Sequence, residues 1–384
     1  MKVLYVVKTN RGAAWAYRQV EWIIKHGFDI KFTVVMPSEF GGFADNYKTI
    51  GCKVIPADFS LPVKRPWKLF QIIKSVRSIV ETEKPDIIHS HFVTTTFMIR
   101  LALGKNSPKR IFQVPGPLHL ENRFFRFFDK ATSNYLDFWI GTCQWTVDKY
   151  ISIGIPKERV YLDYYGDEIP EVIEQGNKLH EDLQIGANEK VIGMVSYFYK
   201  PKYYLLQFRG IKGHEDFIDA IAEVRKQSSN VKGVVVGNAW DGASSYEQKI
   251  HRYARKKCPD GIIFAGYRSD VIDIYHEFDV AVHPSLSENL GGAGQSISQL
   301  VPTISTNVGG FPDIVINGVT GWTVNPHKPK EIAEKIMWIL NNREETIKMS
   351  TTGRKMYEEL LSLDNTCKKL VDIYNKVYSE KLKA

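Results

Sequence analysis

No stretch of this 384-residue chain approaches the ~18 uninterrupted apolar residues of a membrane-spanning helix, so the sequence reads as that of a soluble or peripheral protein. Cysteine is scarce: Cys52, Cys143, Cys258 and Cys367 lie far apart with no CxxC pair. That argues against a disulfide framework and against a zinc site, and makes a reducing cytoplasm the expected compartment. No HExxH, no DxD between apolar strands and no Cys/His cluster occurs, so no catalytic metal is expected. The opening residues, MKVLYVVKTNRG, lack the long apolar core and small-residue cleavage site of a secretory signal and read as a first buried strand. The turn that follows, KTNRGAAW, lacks GxGxxG, which argues against a nicotinamide dehydrogenase. No internal repeat of 20–50 residues stands out. The charge excess is modest, 51 Lys and Arg against 43 Asp and Glu, for a net +8. Such a balance suits an anionic membrane surface or a phosphorylated small molecule. Acids spread throughout leave no coherent basic stripe, so a nucleic-acid partner is not expected.

What is present is alternation. KVLYVV (2–7) precedes a helical pattern from about Ala14 to Lys25; DIKFTVVM (29–36) precedes a turn-rich stretch, Pro37 to Asn46; CKVIPA (52–57) and PDIIHSHF (85–92) precede helical patterns at about 67–83 and 94–103. FWIGTC (138–143), a helix at about 145–152 and VYLDYYGDE (160–168) complete this half. A polar stretch, Ile169 to Lys190, then marks an interdomain connection. The alternation restarts with KVIGMVS (190–196), VKGVVVG (231–237), GIIFAG (261–266), VAVHPS (280–285), VPTISTN (301–307) and GWTVNP (321–326), with helices at about 214–227, 245–257 and 269–277. Continuous apolar strands separated by helices indicate parallel sheets covered on both faces. The expected fold class is α/β, with two Rossmann-like doubly wound domains sharing a cleft. The domains are placed at 1–170 and 171–362, with a lysine-rich amphipathic helix in 363–384.

Ligands in such sheets bind outside the carboxyl ends of the strands, so the strand-end loops are the places to search. Arg209 and Lys212 stand just ahead of the 214–227 helix, where two cations beside a helix N-terminus form an anion site suited to a diphosphate. In SENLGGAGQ (287–295), Glu288 is placed to accept hydrogen bonds from hydroxyls. Gly291 and Gly292 allow close backbone approach, and a helix begins near Gly292 with its N–H groups free. An acid, a glycine turn and a helix start suit a sugar joined to a phosphate. His119 follows Pro115-Gly116-Pro117 and is expected on a rigid loop facing a ligand. His89 and His91 suit either a structural role or the lining of a cleft, with structure favoured.

HPSLSENLGGAGQSISQLVPTISTNVGGFPDIVINGVTGW (283–322) resembles the nucleotide-sugar signature of the retaining glycosyltransferases of family 4, which have the GT-B fold. The resemblance extends to GMVSYF…RGIKGHEDFIDAI (193–221), GVVVGNAW (233–240), IIFAGYRSDVIDIYHEFDVAVHPS (262–285), PDIIHSHF and FQVPGPLHLE (112–121). It implies a metal-independent hexosyltransferase that takes a nucleoside diphosphate sugar as donor and needs no cofactor. Glu288 then matches the acid on the transferred sugar's hydroxyls, and Asn289, Leu290, Gly291 and Gly292 match the backbone turn facing sugar and diphosphate. Arg209 and Lys212 look like the cations on the leaving diphosphate, Tyr267 and Arg268 like the enclosure of the base, and His119 like the first-domain histidine near the sugar. Gln295 stands where similar enzymes carry a second glutamate on the ribose diol, with a spacing one residue shorter. A hydrogen bond to a charged group is worth ~1.5–3 kcal/mol against ~0.5–1.5 for a neutral one, so the exchange costs on the order of 1 kcal/mol of donor binding. KTNRGAAW keeps only Gly12 of the glycine-rich turn that similar proteins place against donor and acceptor. The C-terminal helix is expected to return to the first domain, as in similar proteins.

The implied acceptor is a saccharide or a lipid-linked glycan, in surface polysaccharide or glycoconjugate synthesis. ENRFFRFFDKATSNYL (121–136) sets four phenylalanines among Arg123, Arg126 and Lys130. It suits either a helix lying in a membrane interface, with the protein peripheral on the inner face, or a core helix with two charged edges. KPKYYLLQFRGIK (200–212) suits either a similar surface or a lid over the diphosphate. A non-catalytic sugar-nucleotide or glycan-binding relative is the alternative reading, to which Gln295 gives some weight.

Overall fold

The computed structural model describes the chain apart from Val63, Lys64, Glu174, Lys202, Tyr204, Leu205, Leu206 and residues 381–384. Much of the aromatic run at 200–206 therefore lies outside the described residues. The chain divides into two compact units, Met1–Glu168 with Leu360–Ala384, and Ile169–Glu359.

The first unit holds a seven-stranded sheet of β1 (Lys2–Val6), β2 (Lys31–Met36), β3 (Lys53–Pro56), β4 (Ile87–Ser90), β5 (Lys109–Val114), β6 (Asp137–Gly141) and β7 (Val160–Leu162). Its order is β3-β2-β1-β4-β5-β6-β7, and every neighbouring pair is parallel. Runs such as LYV and TVVM have no polar face to offer water, so helices must cover both sides of the sheet. One of these is the distant helix Leu363–Ser379, whose Leu370, Tyr374 and Val377 enter the same core as Tyr5, Val34 and Phe138. The Tyr374 hydroxyl meets His89 Nδ1 at 2.6 Å, and the Tyr165 hydroxyl meets His91 Nδ1 at 3.0 Å. Burial pushes His89 down to about 3 and His91 well below its ordinary value, so both are neutral core histidines. The outgoing and returning chain segments lie side by side: Asp167 N donates to Leu361 O at 2.8 Å and Leu363 N to Asp167 O at 3.0 Å.

The second unit holds a six-stranded sheet of β8 (Lys190–Val195), β9 (Val231–Val236), β10 (Ile262–Gly266), β11 (Val280–His283), β12 (Thr303–Thr306) and β13 (Trp322–Val324), in the order β10-β9-β8-β11-β12-β13. These pairs too are all parallel. In both sheets the strand order reverses beside the first strand, between β1 and β4 and between β8 and β11, which opens a crevice at the carboxyl ends there.

The structure adds elements that the alternation does not reveal. β5 begins with Lys109 and Arg110, and a buried arginine breaks the apolar pattern; Arg110 is held by Asp137, Nη2 to Oδ2 at 2.8 Å and Nε to Oδ1 at 2.9 Å. The turn-rich stretch after β2 contains the helix Phe43–Thr49, entered through Gly42 at positive φ. The polar connection contains the helix Lys178–Leu183, whose first N–H groups are satisfied from outside by Glu277: Leu179 N at 2.8 Å and His180 N at 2.9 Å. Two long helices, Pro329–Asn341 and Arg343–Leu361, follow β13.

Candidate functional site

A cavity of about 330 Å³ opens at the switch point of the second sheet. Its floor is Val195 and Ser196 at the end of β8 and Val236 and Gly237 at the end of β9. Beyond β8 the chain stays extended. Phe198 is buried and stacks on His214 at 4.1 Å, while its neighbours Tyr197 and Tyr199 line the cavity. Alternation of side chains along an extended segment explains that division.

Lys212 enters from the next loop, just ahead of the helix His214–Arg225. Gly213 makes this approach possible. Its φ is +75°, and a Cβ there would fall 2.0 Å from the carbonyl oxygen of Pro284. The two loops are also tied by Leu286 N donating to Ile211 O at 2.7 Å. Gly213→Ala is therefore expected to destabilise the fold by about 2–3 kcal/mol, from left-handed strain and a clash with unyielding backbone. Chemical denaturation checks it; an unchanged midpoint would mean that the loops can part freely.

The Lys212 ammonium pairs with Glu288 Oε2 and lies 5.6 Å above the Tyr199 ring. Glu288 Oε1 accepts from Asn289 N at 3.1 Å. The carboxylate tucks beneath Gly291, where φ is +46° and a Cβ would sit 2.8 Å from Glu288 Cδ. The helix Gly291–Ser298 then begins, with Leu290 at the N-cap and no side-chain cap, so its first N–H groups are open to a ligand at the cavity wall formed by Gly291 and Gly292. His283 lies under this turn with Nε2 3.1 Å from Ser296 Oγ; burial and then the Lys212 charge push it down to about 3, so it adds no charge. Burial raises the Tyr199 phenol, so it too is neutral.

The far end of the cavity is Tyr267, 61% exposed, and Arg268. Arg268 is fixed by Asp270 through two bonds, at 2.9 and 2.8 Å, and by Asp182 at 2.8 Å. Its charge is thus compensated, and it offers a rigid wall rather than a free cation. Gln295, exposed one turn into the helix, completes the lining.

The structure therefore brings together Lys212, Tyr267, Arg268, Gly291, Gly292 and Gln295 in one wall, with Glu288, Asn289 and Leu290 directly behind it. Arg209 is not part of it. Its guanidinium is held by Asp216 and, at 3.2 Å, by Asp219, both on the helix His214–Arg225. Gly12 and His119 belong to the first unit. Gly12 is exposed at φ +77° in the loop after β1. His119 sits not on an irregular loop but on the single helical turn Leu118–Glu121. Its Nε2 is 2.9 Å from the Tyr150 hydroxyl and 3.4 Å from Asp129 Oδ2. Tyr150 donates its own proton to Asp129 at 2.6 Å, so the tautomer that satisfies all three groups carries hydrogen on Nε2 and leaves Nδ1 as an acceptor. Tyr197 and Tyr199 were not expected; the rule that strand-end residues meet ligands would have found them. Among the described residues no three His, Cys, Asp or Glu side chains converge as a metal cluster would.

A cation, an open helix start and a carboxylate around one cavity suit a phosphorylated polyol. Residues 13–165 match the profile of Glycosyltransferase Family 4, and residues 177–356 that of Glycosyl transferases group 1. The capsular polysaccharide biosynthesis glycosyltransferase CapM of Staphylococcus aureus is 26% identical over 99% of this chain and 98% of its own length. HepE of Anabaena, solved in complex with UDP, superposes with a TM-score of 0.80 at 18% identity, covering 98% of this chain and all of the other. Sucrose-phosphate synthase of Thermosynechococcus elongatus does so at 0.79 and 14%, covering 99% of each. The structural likenesses establish the fold and the two profiles span both units: the chain belongs to glycosyltransferase family 4, the group 1 glycosyltransferases of GT-B fold.

Proposed function

We propose that the protein transfers a hexose, with retention of configuration, from a nucleoside diphosphate sugar to a saccharide or lipid-linked glycan in surface polysaccharide synthesis. The observation that carries this reading is the convergence of Lys212, the uncapped start of the helix Gly291–Ser298 and Glu288 at the cavity over the ends of β8 and β9. The names of CapM, a capsular polysaccharide enzyme, and of HepE, a UDP complex, favour a polysaccharide acceptor and UDP.

Transfer requires stabilising positive charge on the sugar ring and negative charge on the leaving diphosphate. Lys212 and the helix N–H groups serve the second need without a divalent ion, so activity should survive EDTA. Glu288 accepts from the sugar hydroxyls, and the departing diphosphate takes the acceptor's proton on the face it leaves. His119, with Nδ1 as acceptor, is the first-unit residue assigned to the sugar, and Gly12 is assigned to the donor side. Arg209 joins the diphosphate only by leaving Asp216 and Asp219. That engagement, together with the amide at Gln295, favours as second reading a relative that binds the donor without transferring it.

The test is a thermal-shift and calorimetry screen against UDP, GDP, ADP and their common sugar conjugates. A site saturated at ~100 times its dissociation constant stabilises the fold by ~2.7 kcal/mol, and this shift should vanish in Lys212→Ala. Silence towards every nucleotide would end the transferase reading. A response with neither transfer nor slow donor hydrolysis would favour the second.

A further inference from the structure

We propose that the helix Arg123–Thr132 docks the first unit onto an anionic lipid surface. Phe124, Phe127 and Phe128 are 62%, 66% and 39% exposed, on one helical face. Their rings form a continuous cluster, with centroids 4.5 Å apart for Phe124 and Phe128 and 5.4 Å for Phe127 and Phe128. Monomeric proteins seldom leave three neighbouring phenylalanines in water. Nor are they exposed because the helix is loosely held. Asn122 caps it by accepting from Phe124 N and Phe125 N, and Asp129 anchors the opposite face through Arg100 at 2.7 Å. Arg126 donates to Leu120 O at 3.2 Å, and Lys130 reaches Ile153 O.

Charge selects the occupant. The ionisable groups of this helix that reach solvent are Arg123, Arg126 and Lys130, whereas its one acid, Asp129, is buried and paired. A second copy pressed face to face would set these cations against their own images. An apolar stripe edged by cations matches the boundary between acyl chains and anionic headgroups. The helix begins just past the carboxyl end of β5, the end of the sheet that carries His119, so docking would bring a membrane-borne substrate to that edge. The inference stands apart from the donor reading, because lipid binding and nucleotide binding are measured separately.

Flotation of the full chain with vesicles tests it. The protein should float with phosphatidylcholine–phosphatidylglycerol vesicles at low salt, and stay in solution with phosphatidylcholine alone. Phe124→Ser/Phe127→Ser/Phe128→Ser should abolish flotation without moving the melting midpoint. If the triple variant unfolds, the single Phe127→Ser should still weaken binding. Arg123→Glu should weaken it at least about fivefold, the effect of one cation near such a surface. Failure of the wild type to float, equal flotation of the aromatic variants, or indifference to phosphatidylglycerol would each overturn the proposal. So would a dimer dissolved by Phe127→Ser in a protein that ignores vesicles.

Discussion

Glu288→Gln should lower the transfer rate about 10²–10³-fold while leaving affinity for the free nucleoside diphosphate within a few-fold, a loss of ~3–4 kcal/mol in the transition state alone. The substitution keeps the volume beneath Gly291 and an acceptor for Asn289 N, so the turn should persist. What disappears is the negative charge that pairs with Lys212 and, in the proposed function, accepts from the sugar hydroxyls as the ring becomes cationic. Initial rates of nucleotide release, with the donor named by the binding screen, measure the first quantity and calorimetry the second. Lys212→Ala is the contrast, since it should weaken diphosphate binding as well as rate. Full activity in Glu288→Gln would reduce this carboxylate to a clamp on Lys212.

Asp129→Ala should destabilise the protein by about 3–5 kcal/mol, because it strips a buried guanidinium of one of its two carboxylates and leaves the buried Tyr150 hydroxyl without its acceptor. Arg100 donates to Asp129 Oδ1 at 2.7 Å and to Asp137 Oδ1 at 2.9 Å, and both aspartates are almost wholly buried. Burial alone would raise the Asp129 carboxyl; the Arg100 charge and the bonds from His119 and Tyr150 overcome it and hold the group well below the usual carboxylate range. The sign follows. A group whose folded value is depressed contributes stability above its unfolded value, near 3.9, and loses it as pH falls through the folded one. Wild type should therefore weaken steeply below pH ~4, whereas Asp129→Ala, already without this contribution, should show a shallower acid slope in denaturation curves. Equal slopes would assign the acid sensitivity to other carboxylates.

Much of this was legible in the sequence because each sheet is wholly parallel and buried on both faces, so its strands read as apolar runs. β5 was hidden because Arg110, answered by Asp137 27 residues away, occupies a core position. Lys212, Glu288 and Gly291 were legible through a turn chemistry that few residues can satisfy. Arg209 stood at a suitable place, but Asp216 and Asp219, in the first two turns of the helix His214–Arg225, take its charge in the folded chain. The phenylalanine helix was undecidable for a related reason. Its period fits an inward or an outward aromatic face equally, and the deciding partner of Asp129 is Arg100, on another helix.

The returning helix Leu363–Ser379 bears on how the protein is made. Tyr374 reaches His89 across 285 residues of sequence and fills the same core as β1 and β2, so the first unit lacks part of its interior until the helix Leu363–Ser379 has left the ribosome. The second unit, continuous from Ile169 to Glu359, has no such wait. Order of synthesis and order of completion are therefore reversed: the half translated first is finished last, with exposed apolar sheet in the interval, which places the hazard of misassembly in the amino-terminal half.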